Sequence, residues 1–181
     1  MDAVSIPTQL HLLNDKWNMY YHLPTNKNWD LASYTVLMDN ISSVEDVIEL
    51  NNKLNDYVVR NCMLFVMRAG VTPMWEDPKN RNGGCFSYKV GNKNVPEVWK
   101  HLFYYLCGES ICNNSEHCTH VNGITISPKK TFALLKFGYP TRIYKTLDVL
   151  YQYQIYPNKG VYLKNTNLNS NLLPLYSLMV M

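Results

Sequence analysis

Four tryptophans stand at positions 17, 29, 75 and 99, and two of them lie in sequence too polar for a core. Trp29 sits in Asn26-Lys-Asn-Trp-Asp30, and Trp75 in Pro73-Met-Trp-Glu-Asp77. A large indole is costly to leave wet, so a loop tryptophan either folds back on the core or meets a ligand. Trp75 is followed directly by Glu76, and an indole beside a carboxylate suits a purine. The ring stacks on the base face, and the carboxylate accepts hydrogen bonds from an N–H edge. Guanine presents N1–H and its amino group side by side, so one carboxylate can take both; adenine has no matching pair. The bland alternative is an exposed acidic turn. Trp17 opens an aromatic, β-branched run and Trp99 lies among apolar residues at helical spacing, so both are read as core.

A second cluster competes for attention. Cys107, Cys112, His117, Cys118 and His120 fall within fourteen residues, enough ligands for zinc. The spacing C-x4-C-x4-H-C-x-H matches no standard knuckle, and Cys107 falls in an apolar helical run, so no metal or other cofactor is expected. No nucleophile-elbow or oxyanion motif accompanies a Cys–His pair. A metal-dependent nucleotide hydrolase would need a carboxylate cluster, and Glu76-Asp77 is the only adjacent acidic pair in its loop. Binding without catalysis is the expectation.

These residues need a scaffold. Strands are predicted over 17–22, 32–38, 62–67, 85–90, 120–127, 131–137 and 151–156, where aromatic and β-branched residues gather. Asp39-Asn40 reads as a break. Ser42 and Glu45 fit a capping box that opens a helix over about 43–56, with Val44, Val47, Ile48 and Leu54 on one side. The Pro-, Asn- and Gly-rich stretch 70–84 predicts a long loop without regular structure. A second helix starts near Val95-Pro-Glu, carries Val98, Trp99, Leu102, Phe103 and Leu106, and stops at Gly108. A third is expected after Thr141, a loop over 157–171 and an apolar edge strand over 172–181. Short connections between successive strands point to an α+β domain with a largely antiparallel sheet. Residues 1–10 read as a tail and 11–181 as one domain.

The chain has 181 residues, 46% of them hydrophobic and 17% charged, enough to bury a core without disulfides or metal. A net charge of +3 is too small for a polybasic nucleic-acid binder, and nothing points to DNA; a modest anionic ligand stays open. No apolar run approaches a membrane span, the start lacks a signal-peptide pattern, and five cysteines is an odd number. A monomer in the cytosol is expected, the host cytosol if the chain is viral. Abundant Asn, Tyr and Lys with four Arg suggest an AT-rich genome, which fits a protist or a large DNA virus.

The order Pro73-Met-Trp-Glu-Asp77, Lys79-Asn80 and Gly83-Gly84, with His11-x5-Trp17, Asn28-Trp29, Val44-Glu-Asp46, Trp99 and Gly108-Glu109-Ser110, resembles the eukaryotic translation initiation factor 4E family over about residues 11–156. The resemblance implies a curved, mostly antiparallel eight-stranded sheet with three helices on its convex face. Its concave face would cup the 7-methylguanosine cap of messenger RNA, recruiting it for translation initiation. Trp29 and Trp75 match the indoles that sandwich the methylated base, Glu76 the carboxylate that reads its edge, and the Trp75 backbone N–H would address O6. Two departures stand out on the phosphate side. Cys85, Thr125 and Ser127 occupy positions where the family is basic, which leaves Lys129, Lys130 and Lys164 as candidate phosphate contacts. Leu134 or Leu135 replaces the tryptophan that flanks the methyl group.

The convex partner surface also differs from the family pattern. His11, Val44 and Gly108 remain, but Leu12 replaces Pro, Ile48 replaces Trp, Lys100 replaces Leu and His101 replaces Glu. A groove on Val44, Ile48 and Tyr104 would then serve a divergent scaffold protein. The alternative within the same fold is a cap-binding repressor or decoy that does not engage the usual scaffold.

Overall fold

The computed structural model describes residues 9–112, 115–139, 153–156 and 160–163. Six strands form one antiparallel sheet in the order β2-β1-β3-β5-β6-β4: β1 Leu12–His22, β2 Thr35–Ser43, β3 Met63–Arg68, β4 Gly84–Gly91, β5 Gly123–Pro128 and β6 Phe132–Tyr139. β7 (Tyr153–Tyr156) and β8 (Gly160–Leu163) pair separately, with β8 alongside β4. The eight strands are therefore six plus a two-stranded ladder, and β8 replaces part of the loop expected over 157–171. The tail before residue 9, the helix expected after Thr141, Lys164 and the 172–181 segment lie outside the described residues.

Period-two alternation divides the sheet into two faces. Leu64 and Val66 of β3, Ile124 and Ile126 of β5, and Leu135 and Phe137 of β6 join Trp17 and Met19 in the main core. That core is roofed by α1 (Val44–Lys53) and α4 (Val95–Cys107), whose Val98, Trp99, Leu102, Phe103 and Leu106 are all buried. Each such side chain contributes roughly 1.5–3 kcal/mol of burial. The opposite, concave face carries a smaller cluster of Phe65, Met67 and Val71 with Tyr20, Tyr34 and Met63 against it. Both tryptophans read as core, Trp17 and Trp99, are 0% exposed.

Local chemistry corrects several boundaries. The capping box is one residue later than expected: Ser43 is the N-cap, its hydroxyl accepts from Asp46 N, and Asp46 accepts from Ser43 N at 2.9 Å. Burial works against the Asp46 carboxylate, but hydrogen bonds from Ser42 and Ser43 hold its pKa below the ordinary value. The helix expected over about 43–56 ends at Lys53, and Asn55 caps a further short helix, α2 (Asp56–Asn61), that the sequence reading did not include. Asp39-Asn40 does not end β2. Asn40 takes φ 50°, its N–H bonds Asn18 Oδ1 at 2.9 Å, and the β1–β2 register shifts nearby. Asn tolerates that left-handed conformation, so the strand bulges and bends instead of stopping.

Near the sheet's other end the Arg68 guanidinium lies 4.5 Å over the Trp17 ring and bonds Asp15, the Cys118 carbonyl oxygen at 3.2 Å and the Val121 carbonyl oxygen at 3.2 Å. This ties β1 and β3 to the short α5 (Ser115–Thr119), a helix absent from the sequence reading. None of the described helices is long and apolar enough to cross a membrane.

Candidate functional site

The 70–84 stretch is more ordered than its composition suggests. Gly70 takes φ 79°, a conformation that favours glycine, as the chain leaves β3. Asp77 then caps α3 (Pro78–Arg81), with Pro at the first turn. One Asp77 oxygen accepts from Thr72 N and Thr72 Oγ1, both at 2.7 Å, and the other accepts from Lys79 N at 2.8 Å. Burial opposes the charge, but these bonds hold the Asp77 carboxyl below its ordinary range. Asn80 reaches back to donate to the Thr72 carbonyl at 3.0 Å and the Met74 carbonyl at 2.7 Å. Asn122, buried at the start of β5, donates to the Lys79 carbonyl at 2.8 Å and to Asn80 Oδ1 at 3.0 Å. A relay of side chains thus runs from the sheet to the peptide preceding Trp75.

Below this loop lies a slot of about 200 Å³. Met63, Phe65 and Met67 of β3 form its floor, Met74 and Trp75 one side, and Cys85, Thr125 and Lys136 the far wall. A Cβ on Gly123 would fall 2.2 Å from the Val66 carbonyl oxygen, so only glycine fits where β5 meets the floor. Trp75 is 58% exposed and Trp29 52% exposed. Trp29 does not line the slot directly. Its ring packs edge-on to Tyr34 at 6.4 Å, and Tyr34 packs edge-on to Phe65 of the floor at 5.2 Å. The Tyr34 phenol is pushed up first by burial and then by the Glu76 carboxylate, so Glu76 lies within electrostatic reach of the Trp29 side. Of the three, Trp75 alone lines the slot; Trp29 is joined to its floor through Tyr34, and the Glu76 charge acts on the same Tyr34.

The other candidates separate. Lys129 and Lys130 are exposed on the β5–β6 turn and do not line the slot. Leu135 is 0% exposed in the main core, because β6 turns its odd-numbered residues toward the helices; Leu134 faces the other way. On the convex side, Val44 and Tyr104 are buried in the core and Ile48 is half-buried, so the expected groove is largely interior. What remains outside is His11, held by Glu45 at 2.7 Å, and Lys100, whose Nζ lies 5.9 Å over the Tyr104 ring. His101 and Gly108 are half-buried.

Burial presses the cysteine cluster into the core. Cys112 N donates to Cys118 Sγ at 3.2 Å, and the Cys118 thiol is pushed up by its bond with the Cys112 thiol and by burial. Among the described residues no group of three or more His, Cys, Asp or Glu is placed to hold a metal.

Sequence reasoning missed Lys136, His22, Asn80 and Asn122. Lys136 was legible in principle, since period two puts it on the face opposite Leu135. Among the described residues no carboxylate lies within ion-pair distance of it. Asn122 acts through contacts some forty residues away, which no local pattern reveals, while Asn80 bonds Thr72 and Met74 within its own loop.

A model of the eukaryotic initiation factor 4E family matches residues 12–138. The chain belongs to that family. An initiation factor 4E homolog of Acanthamoeba polyphaga mimivirus is 38% identical over 87 residues, covering 48% of this chain and 29% of the homolog. Initiation factor 4E of Saccharomyces cerevisiae is 27% identical over 126 residues, covering 66% of this chain and 57% of the yeast protein. The chain thus spans from under a third to under two thirds of these relatives' length. Among solved structures, a schistosome factor 4E in complex with m7GpppG and a 4E-binding protein superposes with TM-score 0.65 at 23% identity, over 75% of each chain. Ascaris suum factor 4E-3 with the m7G cap gives TM-score 0.65 at 18% identity, over 75% of this chain and 77% of that one. Both have the curved antiparallel sheet backed by helices seen in this 4E-family chain.

Proposed function

We propose that this 4E-family protein binds the 7-methylguanosine cap of messenger RNA and, without catalysing a reaction, recruits capped RNA for translation initiation in the cytoplasm. The observation that supports the reading is an exposed Trp75 lining the slot above Phe65, with an exposed Trp29 joined to the same Phe65 through Tyr34. Methylation at N7 makes the purine cationic. Stacking on an indole then gains a cation–π contribution of about 2 kcal/mol when desolvated, beyond about 1–3 kcal/mol for ordinary base–aromatic stacking. Glu76 accepts from N1–H and the amino group, while its charge balances the base. Lys136, which lines the slot and forms no ion pair among the described residues, is the nearest phosphate contact; Lys129 and Lys130 act at longer range from the turn, and Leu134 flanks the methyl side.

Titration of the full chain with 7-methyl-GTP and with GTP tests the proposal, followed by tryptophan fluorescence. Trp29→Ala and Trp75→Ala are each expected to weaken the methylated ligand by roughly 1–3 kcal/mol. Near wild-type affinity in both variants would remove the sandwich. A second reading, a cap-binding repressor or decoy, is favoured by the convex face, where Lys100 is exposed and Val44 and Tyr104 are buried. Recovery of a scaffold protein with bound ribosomal subunits in a pull-down selects recruitment; capped RNA retained without a scaffold selects repression.

A further inference from the structure

His22 ends β1 on the concave face, opposite Met63 of β3, and is 0% exposed. Its Nε2 lies 2.8 Å from the Asn28 carbonyl oxygen and donates to it, while Nδ1 has no partner among the described residues. Burying a polar ring with one orphan nitrogen is unfavourable unless the ring does something a phenyl ring would not. Here two contacts fall on consecutive residues. The imidazole bonds the backbone of Asn28 and lies flat on the indole of Trp29, with centroids 4.2 Å apart and planes 4° from parallel. Tyr34 tilts against both rings, at 5.2 Å from His22 and 6.4 Å from Trp29. The other hydrogen bonds of this loop among the described residues are local: Asn26 N to the Leu23 carbonyl, Asn28 N to Asn26 Oδ1, and Ser33 to Asp30. The bond from His22 ties the loop to the sheet.

We propose that His22 is a positioning residue for the cap base: it holds Trp29 in a preset plane and forms the outermost ring of a four-layer stack of His22, Trp29, base and Trp75. The proposal rests on the cap-sandwich reading. One face of the indole is taken by the imidazole, so a base has only the other face to meet. An indole already immobilised loses less freedom when the ligand arrives, which is worth roughly two- to twelvefold in affinity for one ordered side chain.

The test is a double-mutant cycle by titration calorimetry of the full chain with 7-methyl-GTP. His22→Ala is expected to weaken binding by roughly two- to twelvefold, and His22→Phe, which keeps a flat ring but loses the bond to Asn28, to recover only part of that loss. In a Trp29→Ala background, His22→Ala is expected to add nothing, because its effect passes through the indole. Unchanged affinity in His22→Ala, equal weakening in His22→Phe, or an undiminished loss in the Trp29→Ala background would overturn the proposal. Should Trp29→Ala by itself leave affinity intact, the cap-sandwich reading fails, and that result is distinguishable from a failure of His22 alone.

Discussion

Lys136→Met separates the slot wall from the turn as the place where phosphates are held. Lys136 stands on β6 opposite Ser87 of β4 and Thr125 of β5, lines the slot, and forms no ion pair among the described residues. Methionine keeps most of its length and apolar stem, so the wall stays filled. A hydrogen bond to a charged group is worth about 1.5–3 kcal/mol. Lys136 is only half-buried, and solvent screening reduces that to about 1–2 kcal/mol, or roughly five- to thirtyfold. Lys129 and Lys130 are exposed. An exposed charge one Debye length away, about 8 Å, contributes only about 0.5 kcal/mol in water before salt is added. Fluorescence titrations with 7-methyl-GTP and 7-methylguanosine then give a clear pattern. Lys136→Met is expected to weaken the triphosphate and leave the nucleoside unchanged. Lys129→Ala with Lys130→Ala gives a smaller loss that vanishes at high salt. Equal losses for both ligands in Lys136→Met, or a larger effect from the turn pair, would refute the assignment.

Glu76→Gln keeps one acceptor but loses the charge and turns an amino group toward donors; a loss of about 1.5–3 kcal/mol is expected, with a narrower preference for methylated over unmethylated guanine, measured by competition between 7-methyl-GTP and GTP. Asp77 has a folded pKa below its unfolded value, so its anchoring of the Trp75 loop is fully present above the unfolded value of about 3.9 and is lost as pH falls through the lower folded value. The stability gap between wild type and Asp77→Asn, followed by thermal melting, should therefore be steady at neutral pH and close only in that acid window. Gly123→Ala forces a Cβ to within 2.2 Å of the Val66 carbonyl oxygen; a cost of roughly 1–3 kcal/mol or more should lower the urea midpoint, and an unchanged midpoint would mean that β3 and β5 can part there.

The tryptophans show where local sequence suffices. Trp17 and Trp99 sit at strand and helix positions whose neighbours are apolar, and hydrophobic periodicity alone placed them inside. Trp29 and Trp75 sit among Asn, Asp and Pro, and polarity alone placed them on loops, where both are exposed. Strand existence, the antiparallel class and the α4 span followed from the same signals. The loop over 70–84 was harder: Pro78 and Asp77 together make a helix start, but composition dominated by Gly and Asn hid a helix of four residues.

Tertiary structure decided what no window of sequence holds. Leu134, Leu135 and Lys136 are neighbours in the chain, yet strand pairing sends Leu135 into the core and Lys136 into the slot, because successive side chains point to opposite faces. Val44 and Tyr104 are surface candidates by family pattern, and packing of α1 and α4 onto the sheet buries them both. His22 becomes a stacking partner only because the loop between β1 and β2 returns the chain over it, and Asn122 reaches Asn80 only because β5 lies beside β3. Residue type and spacing offered the candidate chemistry: two loop indoles and a carboxylate suited to a purine. The pairing of distant strands determined where those groups stand and which cation faces them, since such contacts depend on register across the sheet and not on neighbours in the chain.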